Sequence, residues 1–390
     1  MSFLLVVAIC ILLGFPALVE CSMSLRSRHE NATLSAGHGN RQRRKQMEDS
    51  SVPDWVRCEG TEGTERTTFF GRERPKCEAQ KIQEELLCWE KKGDWYFNDT
   101  RQIIDDMSLY IPCEDSISYG INNECAWMLD GTGLKYDWHP KNNCSIQENQ
   151  YRELEHNMPD FCERMAGERL LLVGDSITKF SNLSWRNKIL SSLGLGCPAL
   201  PARENLNLPP DTFYGCNNLS LYFRENDLLY LGSDQWTDEW YNEIENLNIT
   251  MLMLNRGSHY RHDSEFVPQV NRTLEGVYNR YPHLKIVWRS SPHGRKDQKN
   301  SHMRPPTTRV NGTFPVLYEP DDDSWGYGHF KRQNRLVYDL IKKHYPRILY
   351  LDVFNPATTR ADSRHDPLHP CVPGLLDTWL EMFYNILVFL

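Results

Sequence analysis

From Arg169 onward, short continuous apolar runs alternate with longer stretches of helical period, and this alternation constrains the fold more than any other feature. Leu170-Leu171-Leu172-Val173 is apolar without a break and stops at Gly174, as a strand buried on both faces should. Further buried-strand candidates are Leu228–Leu231, Ile249–Leu254, Leu284–Trp288 and Ile348–Val353. Between and after them, helical period runs through Lys179–Leu193, Asp238–Asn246, Glu265–Arg280, Phe330–His344 and Cys371–Leu390. Strands alternating with helices predict an α/β fold, a doubly wound and mostly parallel sheet. No internal repeat of fixed period is visible, so solenoids and propellers are disfavoured.

In such sheets ligands bind beyond the carboxyl ends of the strands. Gly174-Asp175-Ser176 occupies that position after the first strand. A serine on a strand-to-helix turn presents its hydroxyl there, and the amides that open the next helix can stabilise an oxyanion. The bland alternative is that Ser176 caps the helix. A serine nucleophile needs a base, and the base needs an orienting carboxylate. Asp366-Pro367-Leu368-His369 offers both on one loop, which Cys371, Pro373 and Gly374 can brace. Asp362-Ser363-Arg364-His365 is the rival pair at the same spacing.

The segment before Arg169 differs. Phe3–Val19 is uncharged, is interrupted by Gly14 and Pro16, and is followed by Glu20, Cys21 and Ser22. It reads as a signal peptide over residues 1–21, with an uncleaved membrane anchor as the alternative. Residues 22–54 are polar and Ser/Gly/Arg-rich, a flexible stem in which Arg41-Gln42-Arg43-Arg44 is either a processing site or a solvated basic linker. Residues 55–165 hold six cysteines, from Cys58 to Cys144, and four tryptophans, Trp89, Trp95, Trp127 and Trp138. This is expected to be a Cys-rich N-terminal subdomain, which disulfides and buried indoles can hold even without long helices or strands, packed on an α/β domain at 166–390.

The chain has 12 cysteines; a cleaved signal leaves ten, enough for disulfides in an oxidising lumen. Their connectivity cannot be read from sequence. Eight N-x-S/T sequons, at Asn31, Asn98, Asn143, Asn182, Asn218, Asn248, Asn271 and Asn311, point to the same secretory compartment. No cysteine pair has C-x-x-C spacing, and His259 with His262 lacks a third ligand at sensible spacing, so neither zinc nor another metal is expected. With 44 Lys+Arg against 52 Asp+Glu, the net charge of −8 gives no footprint for nucleic acid.

The tail Asp366-Pro-Leu-His-Pro-Cys-Val-Pro-Gly-Leu-Leu-Asp-Thr-Trp379 resembles the D-C-x-H-W-C-x-P-G-x-x-D-x-W signature of the trichome-birefringence-like, or PC-esterase, family. That family of polysaccharide O-acetyltransferases belongs to the GDSL/SGNH-like superfamily. Upstream blocks fit in the same order. They are Tyr136-x-Trp138-x-Pro140 with Cys144, Gly174-Asp175-Ser176, Asn255-Arg256-Gly257-Ser258-His259, Val287–His293, and Arg360-x-Asp362 with His365. The likeness spans roughly residues 85–385, with departures. Lys179 stands where the family has Arg, Pro367 and Pro370 replace the Cys and Trp of the tail, and the Arg289–His293 block is one residue shorter.

The resemblance implies an SGNH-like domain with Ser176 as nucleophile, His369 as base and Asp366 as orienter. Ser176 N–H and the Asn255 amide would form the oxyanion site, with Gly257 and His259 near substrate and Arg289 either positioning donor or acceptor or held in a structural ion pair. It implies no bound cofactor, an acetyl donor and a glycan or polysaccharide acceptor as partners, and a Golgi-lumenal or secreted location. A secreted carbohydrate acetyl esterase on the same triad is the enzymatic alternative. A non-catalytic glycan-binding glycoprotein is the non-enzymatic one.

Overall fold

A computed structural model describes residues 58, 65–97, 136–139, 144–145, 152–193, 211–212, 216–229, 240–257, 262–294, 327–358, 360, 368–372 and 374–390. Its first elements are β1 (Arg66–Phe69), β2 (Arg72–Pro75), α1 (Lys76–Lys92), β3 (Asp94–Phe97), β4 (Tyr136–His139) and α2 (Met158–Arg164). Then come β5 (Arg169–Gly174), α3 (Ser176–Ser192), β6 (Asp211–Thr212), β7 (Ser220–Glu225), α4 (Glu243–Asn246), β8 (Met251–Leu254) and α5 (Asp263–Arg280). The last are β9 (Lys285–Arg289), α6 (Phe330–His344), β10 (Leu349–Leu351), α7 (Phe354–Thr358) and α8 (Leu375–Phe389).

The main sheet has the order β10-β9-β8-β5-β7-β6. Five strands are parallel, and β6 adds antiparallel to β7. Side chains alternate between the two faces of a strand, and both faces are buried here. Leu171, Val173, Leu252, Leu254, Ile286, Trp288 and Tyr350 share one core with Phe266, Val270, Leu274 and Val277 of α5 and Val337 and Ile341 of α6. Their neighbours in sequence, including Leu170, Leu172, Met251, Met253 and Val287, are equally buried on the opposite face, the side of α3 and α8. Trp185 of α3 stacks on Phe383 of α8 with ring centroids 5.6 Å apart. The expected doubly wound α/β layer is therefore present. The chain moves from β5 to β7 on one side and returns to β8 on the other, which opens a crevice at the carboxyl end of β5.

Two sequence expectations fail here. Leu228 and Leu229 lie in a turn rather than a strand, and the strand of this region is Ser220–Glu225. Leu229 is buried but has φ 50°, a left-handed conformation that an extended chain cannot hold. Helix α4 keeps only Glu243–Asn246 of the longer helix expected there.

The Cys-rich segment also contains a long helix that its weak patterning concealed. Helix α1 buries Ala79, Ile82, Leu86, Leu87 and Trp89, spaced as one helical stripe. It covers the free edge of the sheet. Gln83 donates to the Tyr350 carbonyl at 2.9 Å and accepts from the Tyr350 amide at 2.8 Å, so its side chain acts as one more pairing partner for β10. The β3–β4 hairpin follows, with Trp95 and Trp138 packed edge to face. Trp95 Nε1 donates to the Pro356 carbonyl of α7, just past β10. Cys58–Leu390 form one compact unit, so this segment is a layer of the same body.

Cys58–Cys77, Cys88–Cys144 and Cys162–Cys216 are disulfides, as an oxidising compartment favours. Cys371 is disulfide-bonded as well. The other described cysteines are paired among themselves, so its partner lies outside the described residues. Of the sequons, Asn218 and Asn248 sit exposed in turns, while Asn182 and Asn271 lie on α3 and α5. Asn271 is also engaged, accepting from Tyr345 Oη at 2.8 Å. The other four sequons lie outside the described residues, as does the apolar N-terminal run. Among the described residues no helix is long and apolar enough to cross a membrane.

Candidate active site

Strand β5 delivers the chain to Gly174, and the next residues turn sharply into α3. Gly174 is required by space, because a Cβ there would lie 2.4 Å from Thr178 Oγ1 and 3.0 Å from the Asn255 carbonyl. Asp175 is the N-cap of α3, and its Oδ1 accepts from the amides of Ile177 at 3.0 Å and Thr178 at 3.3 Å. Ser176 is therefore the first residue of the helix. Its own N–H belongs to the turn whose amides lack intrahelical acceptors, at the positive end of the helix dipole. Asp175 caps the two amides after it and not that of Ser176.

Ser176 Oγ lies 2.7 Å from His369 Nε2, although 193 residues separate them. Both side chains are half-buried, reachable yet sheltered. Phe180, one helical turn beyond Ser176, packs its ring 5.2 Å from the His369 imidazole and holds it toward the serine. The segment carrying His369 is itself anchored, because Leu368, Cys371 and Val372 are buried and α8 begins at Leu375. Asp377 of α8 accepts from the Gly374 amide at 2.7 Å and from Ser184 Oγ of α3 at 2.5 Å. Trp185 Nε1 donates to the Leu376 carbonyl at 3.2 Å. The helix carrying Ser176 and the helix following His369 are thus bonded to each other. Asp366, Asp362 and His365 lie outside the described residues.

Asn255 ends β8 beside this turn and is almost fully buried. Its amide donates to the Arg289 carbonyl at 2.9 Å and to Ser291 Oγ at 3.3 Å. Both amide hydrogens are thus engaged within the protein, and donation to an oxyanion requires release of the longer, weaker bond to Ser291. The buried Oδ1 of Asn255 has no hydrogen-bond partner among the described residues.

Arg289 and Gly257 are placed otherwise than expected of substrate contacts. Arg289 is completely buried on the α3/α8 face of β9. It donates from Nη2 to Thr178 Oγ1 at 3.0 Å and from Nη1 to the Ser290 carbonyl at 3.1 Å, and its guanidinium lies 5.1 Å from the Trp379 ring centroid. Burial lowers its pKa to about 10, against the attraction of the Asp175 carboxylate, which raises it. Gly257 is buried, and a Cβ there would come within 1.9 Å of Ser291 Oγ, so it is a close-packing position. His259 lies outside the described residues. His262 is exposed at the start of α5. Among the described residues one group has metal-ligand proximity, Glu85 with Cys88 and Cys144, and its two sulfurs are already joined as a disulfide.

Sequence reasoning missed Thr178, Phe180 and Trp379. The spacing of Phe180 from Ser176, four residues on one helix face, was the available signal for one of them. Trp379 closes the tail signature, which gave it no role, and nothing in the local sequence marked Thr178.

No protein-family model matches the chain, and no curated protein matches it. A solved structure from Streptococcus pneumonia, with the provisional name platelet activating factor, is similar at 12% identity over 68% of this chain and 99% of that one, with a TM-score of 0.32. At that level the likeness bears on neither activity nor substrate.

Proposed function

We propose that the protein is a serine acyltransferase of the secretory pathway that moves an acetyl group onto a glycan hydroxyl. The observation that carries the reading is the 2.7 Å approach of Ser176 Oγ to His369 Nε2 at the carboxyl edge of the sheet, on a helix N-terminus. This is nucleophile-to-base distance, and the amide of Ser176 is available where negative charge would develop.

In the first half-reaction, Ser176 Oγ attacks the acetyl carbonyl carbon while its proton passes to His369 Nε2. The bond from that carbon to the donor's leaving oxygen breaks, and His369 returns the proton to that oxygen. In the second half-reaction, a glycan hydroxyl attacks the acetyl-serine and gives its proton to His369. The Ser176 ester bond breaks and the serine is reprotonated. Asp366 is the proposed orienter of His369. The disulfides support a lumenal setting, and a Golgi or secreted location belongs to the same proposal. With water in place of the glycan, the same residues would make an esterase.

The experiment incubates the purified protein with an activated acetyl ester and defined oligosaccharides and follows acetate and acetyl-glycan by mass spectrometry. Acetyl-glycan is expected, and Ser176→Ala or His369→Ala should each abolish it, the double variant losing little more because the pair acts as a unit. Acetate alone would turn the reading to an esterase. Undiminished turnover in Ser176→Ala would end it.

A further inference from the structure

We infer that Arg289 is a positioning residue for the acyl-transfer step, a buried cation that locks the nucleophile turn to the segment following the base. The inference rests on the Ser176–His369 reading above. It begins from a problem of charge. Asp175 is almost fully buried beside Ser176, and its Oδ2 has no hydrogen-bond partner among the described residues. A carboxylate there caps α3 usefully, but it also sets a negative charge next to the point where the tetrahedral oxyanion would form. Such a charge raises the energy of an anionic transition state in a low-dielectric site. Arg289, wholly buried on β9, is the cation whose field acts on Asp175.

Its contacts explain why it is an arginine. One nitrogen holds Thr178 Oγ1, two residues beyond Ser176 in the first turn of α3. Another holds the Ser290 carbonyl of its own strand end. Its planar face meets Trp379 of α8, the helix that begins six residues after His369. One guanidinium therefore touches the element bearing the nucleophile, the adjoining strand end and the element following the base. Lysine would supply the charge but neither the fork of donors nor the flat face. The carbonyl of the same residue accepts from Asn255, so backbone and side chain of Arg289 together brace both sides of the Ser176 turn. Nothing about Arg289 is solvent-exposed, so it acts through these neighbours rather than on substrate.

The test uses the full chain, with p-nitrophenyl acetate turnover and the rate at which a fluorophosphonate labels Ser176 as readouts. Arg289→Met should lower kcat and the labelling rate by roughly 10²-fold, the loss typical of about 1 Å of misplacement, with KM little changed. Arg289→Lys, which keeps the charge, should fall between Arg289→Met and the unsubstituted chain. It also keeps the test informative if the methionine variant folds poorly. Asp175→Asn preserves the cap while removing the charge. Added to Arg289→Met, it should restore part of the lost rate, which a purely structural arginine would not allow. Rates for Arg289→Met within twofold of the unsubstituted chain, with Ser176→Ala inactive, would overturn the role of Arg289 and leave the acyl-serine reading standing. Activity retained in Ser176→Ala would remove both.

Discussion

The sheet layer and the Cys-rich layer of this protein are stabilised by different means. In β5 and β8, Leu170 to Val173 and Met251 to Leu254 are buried on both faces, and backbone pairing with apolar contact accounts for the order there. Among the described residues, the segment from Cys58 to Cys144 has α1, the two-stranded β1–β2 sheet and the two-stranded β3–β4 sheet. An isolated two-stranded sheet is marginal in water. Here the Cys58–Cys77 and Cys88–Cys144 bridges, together with buried Trp89, Trp95 and Trp138, add covalent and apolar hold to these small sheets. The site shows the same division. Ser176 is placed by the sheet and a helix cap, whereas His369 sits on a segment whose neighbour Cys371 is disulfide-bonded. The turn bearing Ser176 is held by burial and hydrogen bonds, and the segment bearing His369 has a covalent tie as well.

Removing the Cys88–Cys144 bridge tests this division most severely. With a sequence separation of 56 between its ends, the loop-entropy argument puts the loss near 4 kcal/mol. Hydrogen exchange on a Cys88→Ser/Cys144→Ser variant should show lost protection in Asp94–Phe97 and Tyr136–His139, while amides of Met251–Leu254 stay protected. Equal loss in both regions would mean that the layers unfold as one unit and that the distinction is wrong.

A cavity in the other layer should have the opposite signature. Leu252→Ala removes a side chain with no exposed surface and should cost about 3 kcal/mol in denaturant unfolding. Its exchange rates should rise across β5, β8 and β9 together. A change below about 1 kcal/mol would show that this core relaxes and is not tightly packed.

The smallest effect concerns a junction between the layers. Asp160 of α2 is pushed up by partial burial, yet hydrogen bonds from Arg164 and Tyr384 and the charges of Arg164 and Arg152 bring it below the usual carboxylate range. A carboxylate depressed in the folded state adds stability above its unfolded pKa and loses it as pH falls through the folded one. The unsubstituted chain should therefore lose more melting temperature between pH 5 and pH 3, both approximate bounds, than Asp160→Asn does. Parallel curves would remove Asp160 from the account.

Much of the sheet was legible because burial on both faces writes itself as unbroken apolar sequence. Leu170–Val173 and the Ile249–Leu254 and Leu284–Trp288 runs each contain a strand of the parallel sheet. Ser220–Glu225 was missed because Arg224 and Glu225 end it outside the core, while the more apolar Leu228–Leu231 run attracted the assignment. Helix α1 was hidden for a related reason, since its single buried stripe is set among charged residues. In the site, the GDS turn located Ser176, and the loop near Cys371 located His369, because glycine, turn and cap requirements are local. The burial of Arg289 and the engagement of Asn255 were not legible. They depend on Thr178, Trp379 and Ser291, which the fold brings together from distant parts of the chain.

The central claim, that Ser176 carries the acyl group, can be tested by trapping it. The protein is mixed briefly with p-nitrophenyl acetate, quenched in acid, digested and sequenced by mass spectrometry. One acetyl group is expected on Ser176, absent from Ser176→Ala and strongly reduced in His369→Ala. Acetyl transfer that proceeds with Ser176 never modified, or at an unchanged rate in Ser176→Ala, would contradict it.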